Sequence, residues 1–376
     1  MEEWKEYKLG EILNFRRGHD LPHSKMKAGN VPVAGSNGII GYHDDFTPIS
    51  PCITIGRSGN VGTPYIYEQC WAHNTVLYVD DFKGNYPLYL YYLLKTLPLS
   101  SFGGGSAVPT LNRNHIHPLV IRHTPNINTQ KKVVSILKSL DDKIEVNRRI
   151  NDNLEKQAQT LFKSWFVDFE PFKDQPFEES ELGMIPKGWK VGTLGDIAEL
   201  RKPSIKPQDK IFYTHYSIPA FDNNKKPSVD EGSTIKSNKF GINDGAVLLS
   251  KLNPSTKRIW YTGNVPEHSV SSTEFQPFYS KNKEFTPFIY CYLNCDSNYR
   301  EIANGAKGTT NSHQRIDANS ILIRGLAYSE EAIRRFSDCC QKLMELILEA
   351  NQESRRLAAL RDTLLPKLMS GQISLE

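Results

Sequence analysis

The feature that most limits what this chain can fold into is a repeat of its own beginning: Trp4-Lys5-x-x-x-Leu9-Gly10-Glu11-Ile12 returns 185 residues later as Trp189-Lys190-x-x-x-Leu194-Gly195-Asp196-Ile197. Further matches follow in the same order. Pro87-Leu88-Tyr89-Leu90-Tyr91-Tyr92-Leu93 is echoed by Pro287-Phe288-Ile289-Tyr290-Cys291-Tyr292-Leu293, and Pro118-Leu119-Val120-Ile121-Arg122 by Ser320-Ile321-Leu322-Ile323-Arg324. The offset drifts as loops of a duplicated domain accept insertions. A chain of 376 residues is long enough for two such domains with a core each, plus connecting structure.

Each copy passes into a helical region. In the first, Val133, Leu137, Leu140, Ile144, Asn147, Asn151, Leu154, Ala158, Leu161 and Trp165 follow one another in steps of four and three, which is a heptad seam. No proline or glycine interrupts Thr129 to Phe166, and Pro125 and Pro171 stand outside. Shifted by about 203 residues, Leu343, Ile347, Leu357 and Leu364 repeat the seam, with Pro366 expected to end it. A helix of roughly 38 residues is about 57 Å long and needs an equally long partner. The two helices are therefore expected to form an antiparallel intramolecular coiled coil. Asn147 and Asn151 mark either a locally wet seam or a device that fixes register.

The expected organisation is a first domain over 1–128, a spacer helix over 129–170, a linker over 171–188, a second domain over 189–327, and a second spacer helix with tail over 328–370. Short apolar runs such as 30–33, 38–42, 52–56 and 75–79, with a helix near Leu88 to Leu97, make each domain α+β. The second copy offers strands at 245–250 and 258–261.

Bulk properties narrow the function. There is no run of about 18 apolar residues to span a bilayer, and the charged start Met1 to Glu6 has no apolar signal stretch, so a cytoplasmic location is expected. Net charge is +4, only mildly basic. Residues 1–128 hold 11 basic against 10 acidic side chains, and 187–325 hold 19 against 13, so the positive excess lies in the second half. The six cysteines show no framework spacing and are read as reduced thiols. Cys291 and Cys295, four apart, lack the second pair a metal needs, and His115 and His117, two imidazoles on one face of a strand, read as ordinary structure.

Polar loops supply the candidate contacts. Glycine lets a backbone approach a phosphate, and Arg and Asn offer paired hydrogen-bonding groups to guanine and adenine edges. In the first copy these are Arg16, Arg17, Ser36, Asn37, Arg57, Ser58, Asn60, Ser106, Thr110 and Arg113. In the second they are Arg201, Lys202, Lys251, Asn253, Lys257, Arg258, Lys307, Thr309, Thr310 and Arg315.

The run Thr160-Leu161-Phe162-Lys163-Ser164-Trp165-Phe166-Val167-Asp168-Phe169-Glu170-Pro171-Phe172, followed by Leu182-Gly183-Met184-Ile185-Pro186-Lys187-Gly188-Trp189, resembles the junction between the halves of type I restriction-modification specificity subunits. So does the turn Ile53-Thr54-Ile55-Gly56-Arg57-Ser58-Gly59-Asn60-Val61-Gly62. The resemblance covers essentially the whole chain. It implies two target-recognition domains, each reading one half of a split, asymmetric site in double-stranded DNA, with the helices as a ruler of at most about 17 base pairs. It also implies partners: modification subunits, two per chain, that bind S-adenosylmethionine, and through them restriction subunits that use ATP and Mg.

No catalytic site or cofactor is expected in this chain. It has no Gly-x-x-x-x-Gly-Lys-Ser/Thr phosphate loop. Asn253-Pro254-Ser255-Thr256 lacks the second proline and the aromatic of an amino-methyltransferase motif and reads as a turn. Glu178-Glu179-Ser180-Glu181 reads as part of a solvated linker. The alternative reading is a coiled-coil scaffold with no DNA readout of its own; an enzyme acting alone would need a constellation that is not present.

Overall fold

The computed structural model describes residues 4–104, 109–306 and 314–375. They form two compact units, 1–145 with 356–376, and 146–355, so each unit is a globular domain together with parts of both long helices.

In the first unit β1 (Lys5–Lys8) pairs antiparallel with β9 (Val120–His123). Between them α1 (Leu9–Ile12) turns the chain into β2 (Asn14–Arg17). The repeated Leu-Gly-Glu/Asp-Ile motif is explained here. Leu9 and Ile12 are buried, Glu11 Oε2 accepts from Lys8 N at 2.7 Å, and a Cβ on Gly10 would come within 3.0 Å of His117. A four-stranded antiparallel sheet runs β2, β8 (Val76–Asp81), β5 (Cys52–Gly56), β6 (Pro64–Tyr67). A smaller sheet runs β4 (Gly38–His43), β3 (Val31–Gly35), β7 (Trp71–Ala72). α2 (Pro87–Thr96) starts on a proline, which needs no N–H there, and buries Tyr89, Leu90 and Leu93 in the core with Phe15, Ile53 and Ile55. Each such side chain contributes about 1.5–3 kcal/mol. α3 (Arg113–Ile116), capped by Asn112, leads into β9.

His115 and His117 therefore do not share a strand face as expected. The Asn112 cap starts a helical turn, and His117 Nε2 instead accepts from Phe15 N at 3.3 Å.

The second unit opens with β10 (Phe177–Ser180) and β11 (Gly183–Pro186), a hairpin turned at Gly183 with φ 92. The acidic stretch at 178–181 is thus mostly strand and not a loose linker. Beside it Trp165, Phe166, Phe169 and Phe172 pack around Trp189, whose ring lies 5.0 Å from Phe172 and 5.3 Å from Phe169. β12 (Lys190–Thr193), α5 (Leu194–Ile197) and β13 (Ala198–Leu200) repeat the opening of the first unit, Asp196 Oδ2 accepting from Thr193 N at 2.7 Å.

One sheet runs β14 (Ser204–Ile205), β17 (Lys239–Gly241), β20 (Ser269–Ser271), β15 (Phe212–Tyr216), β16 (Ser228–Glu231), with α6 (Ile218–Asp222) beside it. The other runs β13, β21 (Phe275–Ser280), β18 (Val247–Ser250), β19 (Ile259–Tyr261), the counterpart of β2, β8, β5, β6. α7 (Thr286–Asn294) fills its core, followed by α8 (Asp296–Asn304) and α9 (Ala318–Leu322). β22 (Gly325–Tyr328) closes on β12. This pairing sets Tyr328 opposite Lys190 as His123 stands opposite Lys5, so the Ile121 strand corresponds to Leu326 and not to Ile323 as the sequence echo reads.

The long helices are α4 (Ile127–Phe166) and α10 (Glu330–Met369). α4 begins two residues before Thr129 because the Asn126 carboxamide accepts from Asn128 N and Thr129 N. α10 does not stop at Pro366: that residue is exposed in the last turn, where its missing N–H costs one bond and its ring meets solvent. The helices pack antiparallel. In the first unit Lys132 Nζ donates to Leu375 O and Asp141 accepts from Arg361 Nη1 at 2.6 Å. In the second, Asn147 Nδ2 donates to Glu353 Oε2 at 2.7 Å, Asn151 Nδ2 to Asn351 Oδ1 at 2.9 Å, and the ring of Phe162 lies 5.8 Å from Phe336.

All the expected seam residues are buried or half-buried. Val133 and Leu137 sit in the first core with Leu364 against it, Ile347 lies in the second core, and Leu154, Leu161 and Leu343 pack against that one. Leu140, Ile144 and Leu357 are half-buried. Asn147 is 1% exposed and bonded across the seam, which favours the register device over the wet seam.

Candidate nucleic-acid interface

In the first unit separate loops meet at one end of the four-stranded sheet. The chain leaving β5 makes a tight loop: Gly62 N donates to Gly56 O at 2.8 Å and Gly56 N to Thr63 O at 3.2 Å. Glycine is required at 56, where a Cβ would stand 1.8 Å from Asn60 O. Gly59 and Gly62 have φ of 85 and 82, a region costly to other residues. Asn60 Oδ1 accepts from Thr63 Oγ1. Ser36 and Asn37 form the two-residue turn between β3 and β4, and a Cβ on Gly59 would lie 3.8 Å from Ser36 Oγ, so this turn borders the same loop. Ser58 bridges to Thr110, and Arg57 is pinned on both sides, its N donating to Thr75 O at 2.8 Å and its O accepting from Leu111 N at 2.7 Å.

These segments bring Arg16, Arg17, Arg57 and Arg113 around one cleft of about 400 Å³, floored by Leu77 and Leu111, with no carboxylate among its described lining residues. Each arginine is held differently. Arg57, half-buried, spends one donor on Asn74 O, and Arg113 Nη1 donates to Phe15 O at 2.9 Å. Arg16 reaches the Tyr78 hydroxyl. Burial pushes that phenol up, and the guanidinium beside it pulls the other way. Arg17 stands 3.8 Å from Asp20 with both side chains well exposed. Burial likewise lowers His117, with Arg113 and Lys83 adding to the effect, so its ring is neutral beside the cleft.

The second unit repeats several of the backbone bonds of this cleft. Lys251 N donates to Glu274 O and Lys251 O accepts from Ile316 N, as Arg57 does with Thr75 and Leu111. Asn253 N donates to Gln314 O as Gly59 N does to Pro109 O, and Asn253 has a φ of 50 where Gly59 has 85. Leu252 bridges to Arg315 as Ser58 does to Thr110. Asp317 caps α9 as Asn112 caps α3, and Lys281 Nζ reaches Gly195 O as Lys83 Nζ reaches Gly10 O. On this shared frame Arg16 and Arg17 correspond to Arg201 and Lys202.

The side chains on the frame differ, and they differ in touching pairs. Glu274 and Arg315 take the places of Thr75 and Thr110 and form an ion pair, with Nε and Nη2 at 3.4 and 3.3 Å from the carboxylate. Lys202 and Gln276 take the places of Arg17 and Leu77 and join at 3.1 Å. Arg201 lies over the Tyr279 ring at 5.0 Å and pairs with Glu199. Lys257 and Arg258 share none of these contacts: Lys257 Nζ is 2.7 Å from Asp296, and Arg258 forks onto Asp222 at 2.7 and 2.9 Å. Asn253 to Thr256 is a turn, with Thr256 N donating to Asn253 O. Ser106, Lys307, Thr309 and Thr310 lie outside the described residues.

Glu274 and Gln276 were not singled out from the sequence. Their signal was present only as a position, one repeat beyond Thr75 and Leu77, and it becomes readable once β8 is matched with β21.

A sequence model of the type I restriction modification DNA specificity domain matches residues 1–156 and 186–318. The chain belongs to the family of type I restriction-modification specificity subunits. The specificity subunit is similar to the MjaIX specificity subunit of Methanocaldococcus jannaschii, 32% identical over 77% of this chain and 69% of that one. It is also similar to the HindI specificity subunit of Haemophilus influenzae, 23% identical over 99% and 100%. The S subunit of a type I system from M. genitalium shares its fold, with a TM-score of 0.56 at 16% identity over 100% and 97% of the two chains. Among the described residues of this specificity subunit no helix is long and apolar enough to cross a membrane, and no group of three or more His, Cys, Asp or Glu is placed to hold a metal. Cys291 instead faces Cys340 at 3.7 Å inside the core, and Cys295 faces Ser297.

Proposed function

We propose that this specificity subunit reads a split, asymmetric site in double-stranded DNA, each globular domain taking one half while the paired helices set the spacing and dock methyltransferase subunits, two per chain. The observation that carries the reading is the arginine-lined cleft of the first unit and the recurrence of its backbone frame, with different side chains, in the second. A repeated frame supplies the same phosphate-tracking geometry twice. Different side chains on it give the two half-sites different sequences. An asymmetric target follows.

In this reading the subunit is not itself a catalyst and works in the cytoplasm. S-adenosylmethionine belongs to the modification subunits, and ATP and Mg to restriction subunits that join through them. The first cleft is the more positive of the two, since its arginines outnumber the carboxylates near them, whereas on the second frame Arg201 and Arg315 each face an acid. Affinity for the first half-site is therefore expected to carry more of the salt dependence.

The test is to co-express the chain with its methyltransferase and map methylated adenines across the host genome by single-molecule sequencing. A two-part motif that changes in one part only when residues 1–128 are exchanged supports the reading. Methylation unchanged on deleting the chain refutes it and leaves the scaffold role.

A further inference from the structure

We infer that Arg315 is a base-reading residue of the second domain, taking the edge of a guanine, and that Glu274 positions it. The inference rests on the reading of this frame as a DNA surface and adds to it a residue, a base and a mechanism.

The argument starts from the frame. Arg315 stands where its backbone is fixed from both sides, Gln314 O accepting from Asn253 N at 3.1 Å and Ile316 N donating to Lys251 O at 2.9 Å. Its neighbour across the frame is Glu274, whose own carbonyl anchors Lys251 N. The two side chains meet edge to edge. Oε2 and Oε1 of Glu274 accept from Nε and Nη2 of Arg315 at 3.4 and 3.3 Å. Glu274 is the more enclosed partner, its side chain 27% exposed against 52% for Arg315, so the carboxylate acts as the base of the pair and the guanidinium as its tip.

That geometry has a chemical consequence. With the Nε–Nη2 edge on the carboxylate, the outer end of the guanidinium, Nη1 and the second Nη2 hydrogen, is not used by this pair. Two parallel N–H groups at that spacing match O6 and N7 of guanine. Holding the fork in place beforehand removes much of the rotamer entropy that a loose arginine loses on binding. The pair is too exposed to add much to folding. In the first unit the same two positions hold Thr75 and Thr110, neutral side chains that cannot form such a fork, within the corresponding backbone bonds of Arg57 and Gly59. The frame is common to both domains; the exchangeable pair on it is where they differ.

The experiment uses the specificity subunit in complex with its modification subunits. A pool of double-stranded DNA randomised across the site is incubated with the complex, and the bound fraction is sequenced. For the wild type the expected result is a two-part motif with guanine preferred at one position of the half read by the second domain. Arg315→Gln is expected to lower that preference at least about tenfold while leaving the other half unchanged. Arg315→Lys keeps the charge but not the planar fork held on Glu274, so it is expected to keep the preferred base and weaken the preference severalfold. Glu274→Gln keeps the preferred base and weakens it severalfold.

Base preferences unchanged in Arg315→Gln, with binding intact, overturn the inference and make the pair purely structural. If Arg315→Gln does not fold, Arg315→Ala, which leaves no donor at that position, asks the same question, and retention of the guanine preference there overturns it equally. A wild-type complex that selects no two-part motif refutes the DNA-reading proposal itself, which is a separate failure.

Discussion

Replacing Asn147 by aspartate is a nearly isosteric change that separates a register-setting hydrogen bond from a merely tolerated polar residue. Asn147 is 1% exposed and its Nδ2 donates to Glu353 Oε2 at 2.7 Å, with Ser354 Oγ at 3.3 Å and Ala350 O at 3.4 Å. The introduced aspartate would set a second carboxylate against the first. At an effective dielectric constant of about 20, two charges about 4 Å apart repel by about 4 kcal/mol. The molecule can escape by protonating one of them, but holding a carboxyl of ordinary pKa near 4 neutral at pH 7 also costs about 4 kcal/mol. It can also swing the exposed Glu353 into water, which leaves a buried charge with little beyond Ser354 Oγ to solvate it, a penalty of several kcal/mol.

Every route gives a loss of about 4–5 kcal/mol at pH 7.5. The deficit shrinks as pH falls, because the folded variant holds a proton that its unfolded chain releases above about pH 4. Urea unfolding of Asn147→Asp beside wild type at pH 7.5 and 5.0 reads both numbers, with an expected deficit of about 1–1.5 kcal/mol at the lower pH. Asn147→Leu is the control. It gives up a bond to a charged group worth about 1.5–3 kcal/mol and gains a similar amount from apolar burial, so it stays within about 1 kcal/mol of wild type. An aspartate variant as stable as the leucine variant at pH 7.5, or a deficit that does not shrink on acidification, refutes the reasoning.

Burial holds His123 down at about 4, against 6.5 for the free side chain. Stability is therefore full above about pH 6.5 and is lost as pH falls towards 4, by about 2 kcal/mol at pH 5. His123→Gln flattens that part of the stability–pH curve measured by urea unfolding. Gly56→Ala drives a Cβ into Asn60 O and reorganises the arginine loop, costing about 2–3 kcal/mol in unfolding experiments and, on the proposed reading, removing binding to the half-site of the first domain. Arg17→Ala, which removes an exposed charge, weakens DNA binding evenly across sequences and lowers the slope of log affinity against log salt by about one. Arg57→Ala, which removes a pinned guanidinium, instead relaxes the preference at one base position by about 1–3 kcal/mol, read by competition among half-site variants.

The helices were legible because a long seam states its period many times over: Val133, Leu137, Ile144 and Leu154 define one face without help from the rest of the chain, and Asn147 is conspicuous only against them. The strands between glycines were legible for the same local reason. What sequence reading missed was set at a distance. The start of α4 depends on the Asn126 side chain, and the continuation through Pro366 on where its ring points. The register of the second repeat was misplaced because Ile321 to Arg324 resembles Leu119 to Arg122 in composition, whereas pairing with β12 selects Gly325 to Tyr328.

The charge count shows most plainly why the site was harder to read than the fold. Balanced over 1–128, the first half reads as nearly neutral, yet strand pairing draws Arg16 and Arg17 beside Arg57 and Arg113, with no carboxylate among the described lining. In the second half Arg201, Arg258, Arg315 and Lys257 are each paired with an acid, Glu199, Asp222, Glu274 and Asp296. Net charge sums over residues, whereas a nucleic acid meets the charges that a fold leaves facing it. The two disagree here because β2, β5 and the 110–113 segment bring distant arginines together, and because touching pairs such as Glu274 with Arg315 arise only when β21 and the segment before α9 are laid side by side.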